Sequence, residues 1–180
     1  MQRIKPLDAP YAPEIQAHFD AVMPPGADPL LLFRTIAVSD RHWRRFRAAS
    51  LLEKGPLSLR EREIVIDRAC ARAGSEYEWG VHIVAFATAA RLTAEEIEAT
   101  VLGDATSSCW SPAERALVQA VDALHDRVTL SETEWTDLRA HFDDSQILEV
   151  LFLCGFYRTV AYVTNALALP LEPGAARFPT

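Results

Sequence analysis

The 180-residue sequence predicts an all-α protein, and three observations carry that expectation. The pattern S/T-x-x-E recurs five times, at Ser58–Glu61, Ser75–Glu78, Thr93–Glu96, Ser111–Glu114 and Ser131–Glu134. Such a capping box marks a helix start, because the hydroxyl accepts from one orphan backbone N–H while the glutamate reaches back to another. Each match is followed by a run with apolar residues at helical spacing. Strand signals are nearly absent, with no sustained two-residue alternation and no Asn-Gly or Asp-Gly hairpin turn.

The elements follow in order. The proline-rich flanks, through Pro29 and after Pro170, are expected to run largely as extended arms. The N-terminus has no apolar h-region, so no signal peptide is expected. Helices are expected near 12–22, 29–37 and 40–53. The third carries the one dense basic cluster, Arg41 to Arg47, read as a solvated face in preference to a site for an acidic ligand. In the helix over 59–73, Leu59, Ile66, Ala69, Cys70 and Ala73 share the core arc; Glu63 lies at its edge, and Glu61, Arg68 and Arg72 fall on the solvent side. The helix over 76–91 is apolar almost all round, which makes it central. Further helices are expected at 94–101, at 112–128 with Pro112 in the first helical position, at 132–141 and at 144–168. The last is the most apolar, but Glu149, Arg158 and Asn165 interrupt it, so a buried or interfacial helix is expected before a membrane span.

Length fits one domain over residues 1–180. A net charge of −7 gives no electrostatic reason to bind nucleic acid or an anionic membrane. Cys70, Cys109 and Cys154 are odd in number and lack CxxC or CxxH spacing, which argues against a disulfide framework or zinc site and fits the cytoplasm.

The chemistry-bearing pair is Glu78 and His82, about 40° apart on one helix face that Ala85, Phe86 and Ala89 continue and Trp79 flanks. A carboxylate beside an imidazole raises the histidine pKa, burial lowers it, and the pair can hold a proton near neutrality. The plainer readings are that Glu78 merely completes the Ser75 capping box and that His82 is a core histidine. Glu63 is either an exposed residue near a helix start or part of the same centre. His125 and His141 near helix ends read as structural, and Tyr157 and Tyr162 as core or interface. There is no Gly-rich phosphate loop, GxSxG elbow or HExxH helix.

The block Leu57-Ser-Leu-Arg-Glu-Arg-Glu-Ile through Cys70, then Ser75-Glu-Tyr-Glu-Trp-Gly-Val-His82, then Ala89-Ala-Arg-Leu-Thr-Ala-Glu-Glu-Ile97 resembles the carboxymuconolactone decarboxylase family, which includes alkylhydroperoxidase D. The resemblance covers roughly residues 40–105 and implies an alkylhydroperoxidase D-like helical bundle that forms trimers or hexamers. The peroxidase branch carries Cys-x-x-Cys-x-x-x-His; here Ser75 and Glu78 occupy the cysteine positions, His82 the histidine, and Glu63 the upstream glutamate. Without thiolates, peroxide reduction by that route is not expected. The Tyr-Glu-Trp-x-x-His form resembles the decarboxylase branch.

That resemblance implies a cofactor-free lyase acting on a small carboxylated lactone or related acid. His82 is expected to donate or shuttle the proton, with Glu63 and Glu78 setting its charge. Ser75 or Tyr77 would contact substrate, Trp79 and Phe86 would wall the pocket, and an unassigned arginine would hold the carboxylate. No metal or organic cofactor is implied. The alternatives are a non-catalytic, ligand-binding helical oligomer and, less favoured, an alkylhydroperoxidase-like antioxidant.

Overall fold

The computed structural model describes residues 2–180, which form nine α-helices and, among the described residues, no strand. They are α1 (Pro13–Asp20), α2 (Leu31–Ile36), α3 (Asp40–Ala49), α4 (Leu59–Arg72), α5 (Glu76–Phe86), α6 (Ala94–Val101), α7 (Pro112–Arg127), α8 (Glu132–Arg139) and α9 (Asp144–Ala166). Four of the five expected capping boxes form, at Ser58, Thr93, Ser111 and Ser131. A fifth is built from Asp143 and Gln146 at the start of α9, where an aspartate and a glutamine do the work of serine and glutamate. The Ser75 box does not form: Ser75 makes no side-chain cap and instead hydrogen-bonds Thr164 Oγ1 at 2.8 Å.

Helix α4 is the hub, packed against α5, α6, α7 and α9. Every residue from Arg62 to Cys70 is buried. The expectation that Arg68 faces solvent is therefore corrected. It is covered by α7, paired through two bonds of 2.7 and 2.8 Å with Asp122, and it donates to the carbonyls of Thr100 and Gly103. A guanidinium carries enough donors to satisfy that whole junction, so its burial leaves no unpaired charge. Arg60 plays the corresponding role at the other end of α4. It bonds Glu96 and Glu114, the capping glutamates of α6 and α7, and so fastens both helix starts to the hub.

The main apolar core lies between α4, α7 and α9 and includes Val65, Ile66, Leu117, Val121, Val150 and Leu153. A separate cluster joins α1 to α3, with Phe19 edge-on to Trp43 at 5.5 Å between ring centres. The C-terminal arm returns over α5. Ala176 N–H donates to Gly80 O, and a Cβ at Gly80 would stand 2.3 Å from Ala176 O, so only glycine admits the arm. Phe178 packs on Trp79 with ring centres 5.2 Å apart.

Helix α9 is, by length and composition, long and apolar enough to cross a membrane. One face packs on the core through Val150, Leu153, Tyr157 and Val160, while Leu148, Phe152 and Tyr162 on the other are exposed.

Candidate active site

Two helices each present an acid and a partner one turn apart. Helix α4 places Glu63 and Asp67 on the side toward α5, and α5 places Glu78 and His82 back toward α4. Residues four apart share a helix face, so two such pairs on packed helices converge. His82 Nδ1 lies 2.7 Å from Glu63 Oε2, and Nε2 lies 3.1 Å from the Tyr157 hydroxyl of α9 and 3.6 Å from Glu78 Oε1. The imidazole is 3 % exposed and Glu63 and Asp67 are each 1 % exposed. Arg62 Nε donates to Glu63 Oε1 at 3.0 Å, and its Nη1 donates to Leu52 O at 2.8 Å. Rings close the sides: Tyr157 stands edge-on at 5.1 Å and Phe86 tilts at 5.2 Å from the imidazole.

The charge state follows from these contacts. Burial works against the His82 imidazolium, but the bond to Glu63 and the negative charges of Glu63 and of Glu78, 3.6 Å away, outweigh it and raise its pKa from 6.5 to about 10. His82 is therefore charged at neutral pH, with Nδ1–H donated to Glu63 and Nε2–H turned to Tyr157 and Glu78. Asp67 goes the other way for a carboxyl. Burial, then the charge of Glu63, lifts its pKa well above the usual range, against the opposing pull of His82. Its Oδ1 has no hydrogen-bond partner. Burial also holds the Tyr157 phenol and the Cys70 thiol protonated, and the charges of Glu78 and Glu63 add to it. Cys70 is thus no nucleophile.

Glu63, Asp67 and His82 each bring one donor atom within 4.8 Å of the others, an arrangement that a cation would occupy only if Nδ1 first lost its proton. Glu78 Oε2 is buried without a hydrogen-bond partner.

The structure brings Glu63, Glu78, His82 and Phe86 together. It does not bring Ser75, Tyr77 or Trp79 with them. Ser75 bonds Thr164, Trp79 Nε1 donates to Thr100 Oγ1 at 3.0 Å, and the Tyr77 hydroxyl bonds Glu172 of the C-terminal arm while accepting from Leu32 N–H. These residues fasten the arm and neighbouring helices to α5. Ala85 and Ala89, expected to continue the site face, are instead exposed, Ala85 in the last turn of α5 and Ala89 beyond its end at Phe86. The groups sequence reasoning missed are Arg62, Asp67 and Tyr157. Asp67 carried a signal, standing one turn from Glu63 in a run buried throughout; Tyr157 carried none, since its partner is 75 residues away.

Two cavities lie elsewhere. One of about 970 Å³ runs between α2, α3 and α9, and one of about 300 Å³ lies between α7 and α9; neither is lined by Glu63 or His82.

Comparison with known proteins agrees with the architecture. The chain superposes on an uncharacterized peroxidase-related protein from Silicibacter sp. TM1040 with a TM-score of 0.83 at 18 % identity, covering 99 % of this chain and 96 % of that one. A peroxidase-related protein with an alkylhydroperoxidase AhpD core from Ralstonia eutropha JMP134 gives 0.83 at 17 %, covering 95 % and 92 %. The debrominase Bmp8 in complex with 2,3,4-tribromopyrrole gives 0.77 at 15 %, covering 95 % and 92 %. At these identities the likeness is one of fold. No curated protein matches the chain. Residues 39–123, which hold all of the centre except Tyr157, match the model of the carboxymuconolactone decarboxylase family. The chain thus has an alkylhydroperoxidase D-like fold and, over residues 39–123, resembles the carboxymuconolactone decarboxylase family in a form without the Cys-x-x-Cys pair.

Proposed function

We propose that this chain is a proton-transfer lyase that decarboxylates a small carboxylated lactone or related β-keto-type acid, with His82 as the proton donor. The observation that carries this reading is the buried imidazole, held by Glu63 at 2.7 Å on one nitrogen and facing Tyr157 and Glu78 with the other. In the reaction the bond from carbon to carboxylate breaks, CO₂ leaves, and the electron pair passes into the ring carbonyl as a dienolate. The Tyr157 hydroxyl, kept protonated, donates to the carbonyl oxygen as charge develops there. The Nε2–H proton of His82 goes to carbon, and water restores it through Glu78. Arg62, which pairs with Glu63 at the centre, would hold the substrate carboxylate. Its Nη1 bond to Leu52 O and the packing of Phe86 on His82 would have to yield as substrate enters.

The thiol-peroxidase reading finds no support in the side chains, because the dithiol is absent and Cys70 is held neutral by burial. A non-catalytic binding protein is the second reading, favoured by both cavities lying away from the centre. The family resemblance and the exposed face of α9 support a homo-oligomer.

A panel of carboxylated lactones and β-keto acids assayed with wild type and His82→Ala tests the proposal. Loss of a positioned acid should lower kcat by roughly 10²–10⁴-fold. Equal turnover by the two proteins would overturn the role of the imidazole.

A further inference from the structure

The smaller cavity, between α7 and α9, has a feature that the proposed reaction does not use. Its walls are apolar, from Val121, Leu124, Leu151 and Cys154, and at its edge stands Arg158. This guanidinium is held by neutral acceptors. Nη1 donates to His125 Nδ1 at 2.7 Å and to His125 O at 3.4 Å, and Nε donates to the Tyr162 hydroxyl at 3.1 Å. The nearby acids are committed elsewhere, Asp122 to Arg68 and Asp126 to Arg72. Among the described residues no carboxylate pairs with Arg158. Burial, then the charges of Arg158 and Arg72, depress the His125 pKa, so the ring is neutral and its Nδ1 is free to accept. The result is an arginine fixed in place with its charge unspent and its Nη2 hydrogens unused.

Gly155 points the same way. It lies inside α9, where glycine weakens a helix relative to alanine, and a Cβ there would meet nothing within 4 Å. No close packing calls for it. What the missing side chain leaves is space, and Gly155 lines both this cavity and the larger one between α2, α3 and α9. The Cys154 thiol, pushed by burial up to about 12, is an inert part of the wall. A largely apolar pocket near 300 Å³ whose polar side chains are His125, Arg158 and Tyr162 has the size and lining of a small-molecule site.

We infer that the α7–α9 cavity is a second ligand site, separate from the His82 centre, that binds a small monocarboxylate with an apolar body. The carboxylate pairs with Arg158, whose planar donors suit it, and the body lies against Leu124 and Leu151.

Benzoate and benzamide, alike in shape and different in charge, are the probes, titrated into the full-length chain and followed by amide NMR. Benzoate should give saturable shifts on α7 and α9 around Leu124, Leu151 and Gly155, and benzamide should bind at least about tenfold more weakly. Arg158→Met should erase that difference, and Gly155→Phe should block both by filling the space. Equal affinity for the two probes, no saturable shift with benzoate, or shifts centred on Glu63 and His82 would each overturn the site. So would unchanged benzoate binding in Arg158→Met or, should that variant not fold, in Gly155→Phe.

Discussion

Asp67 shows how a single side chain reports the electrostatics of its surroundings. Its carboxyl is 1 % exposed, lacks a partner on Oδ1, and stands beside Glu63. A carboxyl whose folded pKa lies above its unfolded one stabilises the fold only in acid, and that contribution is lost as pH climbs past the ordinary carboxylate range. At neutral pH the unfolded chain gains by ionising and the folded chain does not. Asparagine has the same shape and no proton to lose, so Asp67→Asn should stabilise the protein at pH 7. In urea unfolding the gain should shrink to nothing below about pH 4, where both carboxyl forms are neutral. A loss of stability at pH 7 would mean that the native carboxyl is ionised. His82 has the same sign for a different reason: its folded pKa is raised to about 10, so its contribution is whole below 6.5 and is lost as pH rises through 10. His82→Gln should flatten the fall in stability across that window.

Local chain chemistry made the helices legible, and tertiary contact decided what was not. The expected helix at 94–101 is α6 to the residue, because Thr93 and Glu96 fix its start. Helices α3 and α5 stop short of expectation, at Ala49 and Phe86, because apolar periodicity continues past the point where backbone pairing ends. The box at Ser75 failed for a tertiary reason: Thr164 of α9 takes the serine hydroxyl, and Glu78 is left to face His82. Periodicity put Glu78 and His82 on one face of their helix and Glu63 at the edge of the core arc of another, but it could not reveal that Tyr77 and Trp79 serve the returning C-terminal arm. One helix end also carries visible strain. Val128 closes α7 with φ of 60° and is 85 % exposed. A β-branched residue pays steric cost in that left-handed region and gains no burial here, while glycine is the usual residue at such an end. Val128→Gly should raise the unfolding free energy by about 1 kcal/mol, read from the urea midpoint at unchanged m-value. An unchanged or lower midpoint would show that the exposed valine costs α7 nothing.

At the scale of the whole molecule, α9 presents two unlike faces. The inner one carries Tyr157 to the His82 centre, and the outer one exposes Leu148, Phe152 and Tyr162. Phe152 is 67 % exposed and lines the 970 Å³ groove with Ile36, Phe46 and Phe156. A contiguous apolar surface of this kind is costly in water and is commonly an interaction surface. The proposed occupant is a second copy of the chain, which would cover the outer face while leaving the inner packing untouched. Phe152→Glu tests this without disturbing the core, because the side chain makes its contacts in the groove. The wild type should behave in light scattering as a trimer or hexamer. The variant should dissociate to monomers, since an unpaired carboxylate in an apolar contact costs several times the thermal energy, and its helical circular dichroism should be retained. A wild type that is monomeric at all concentrations, or an assembly indifferent to the glutamate, would rule out this face as the contact and leave the groove to a different partner.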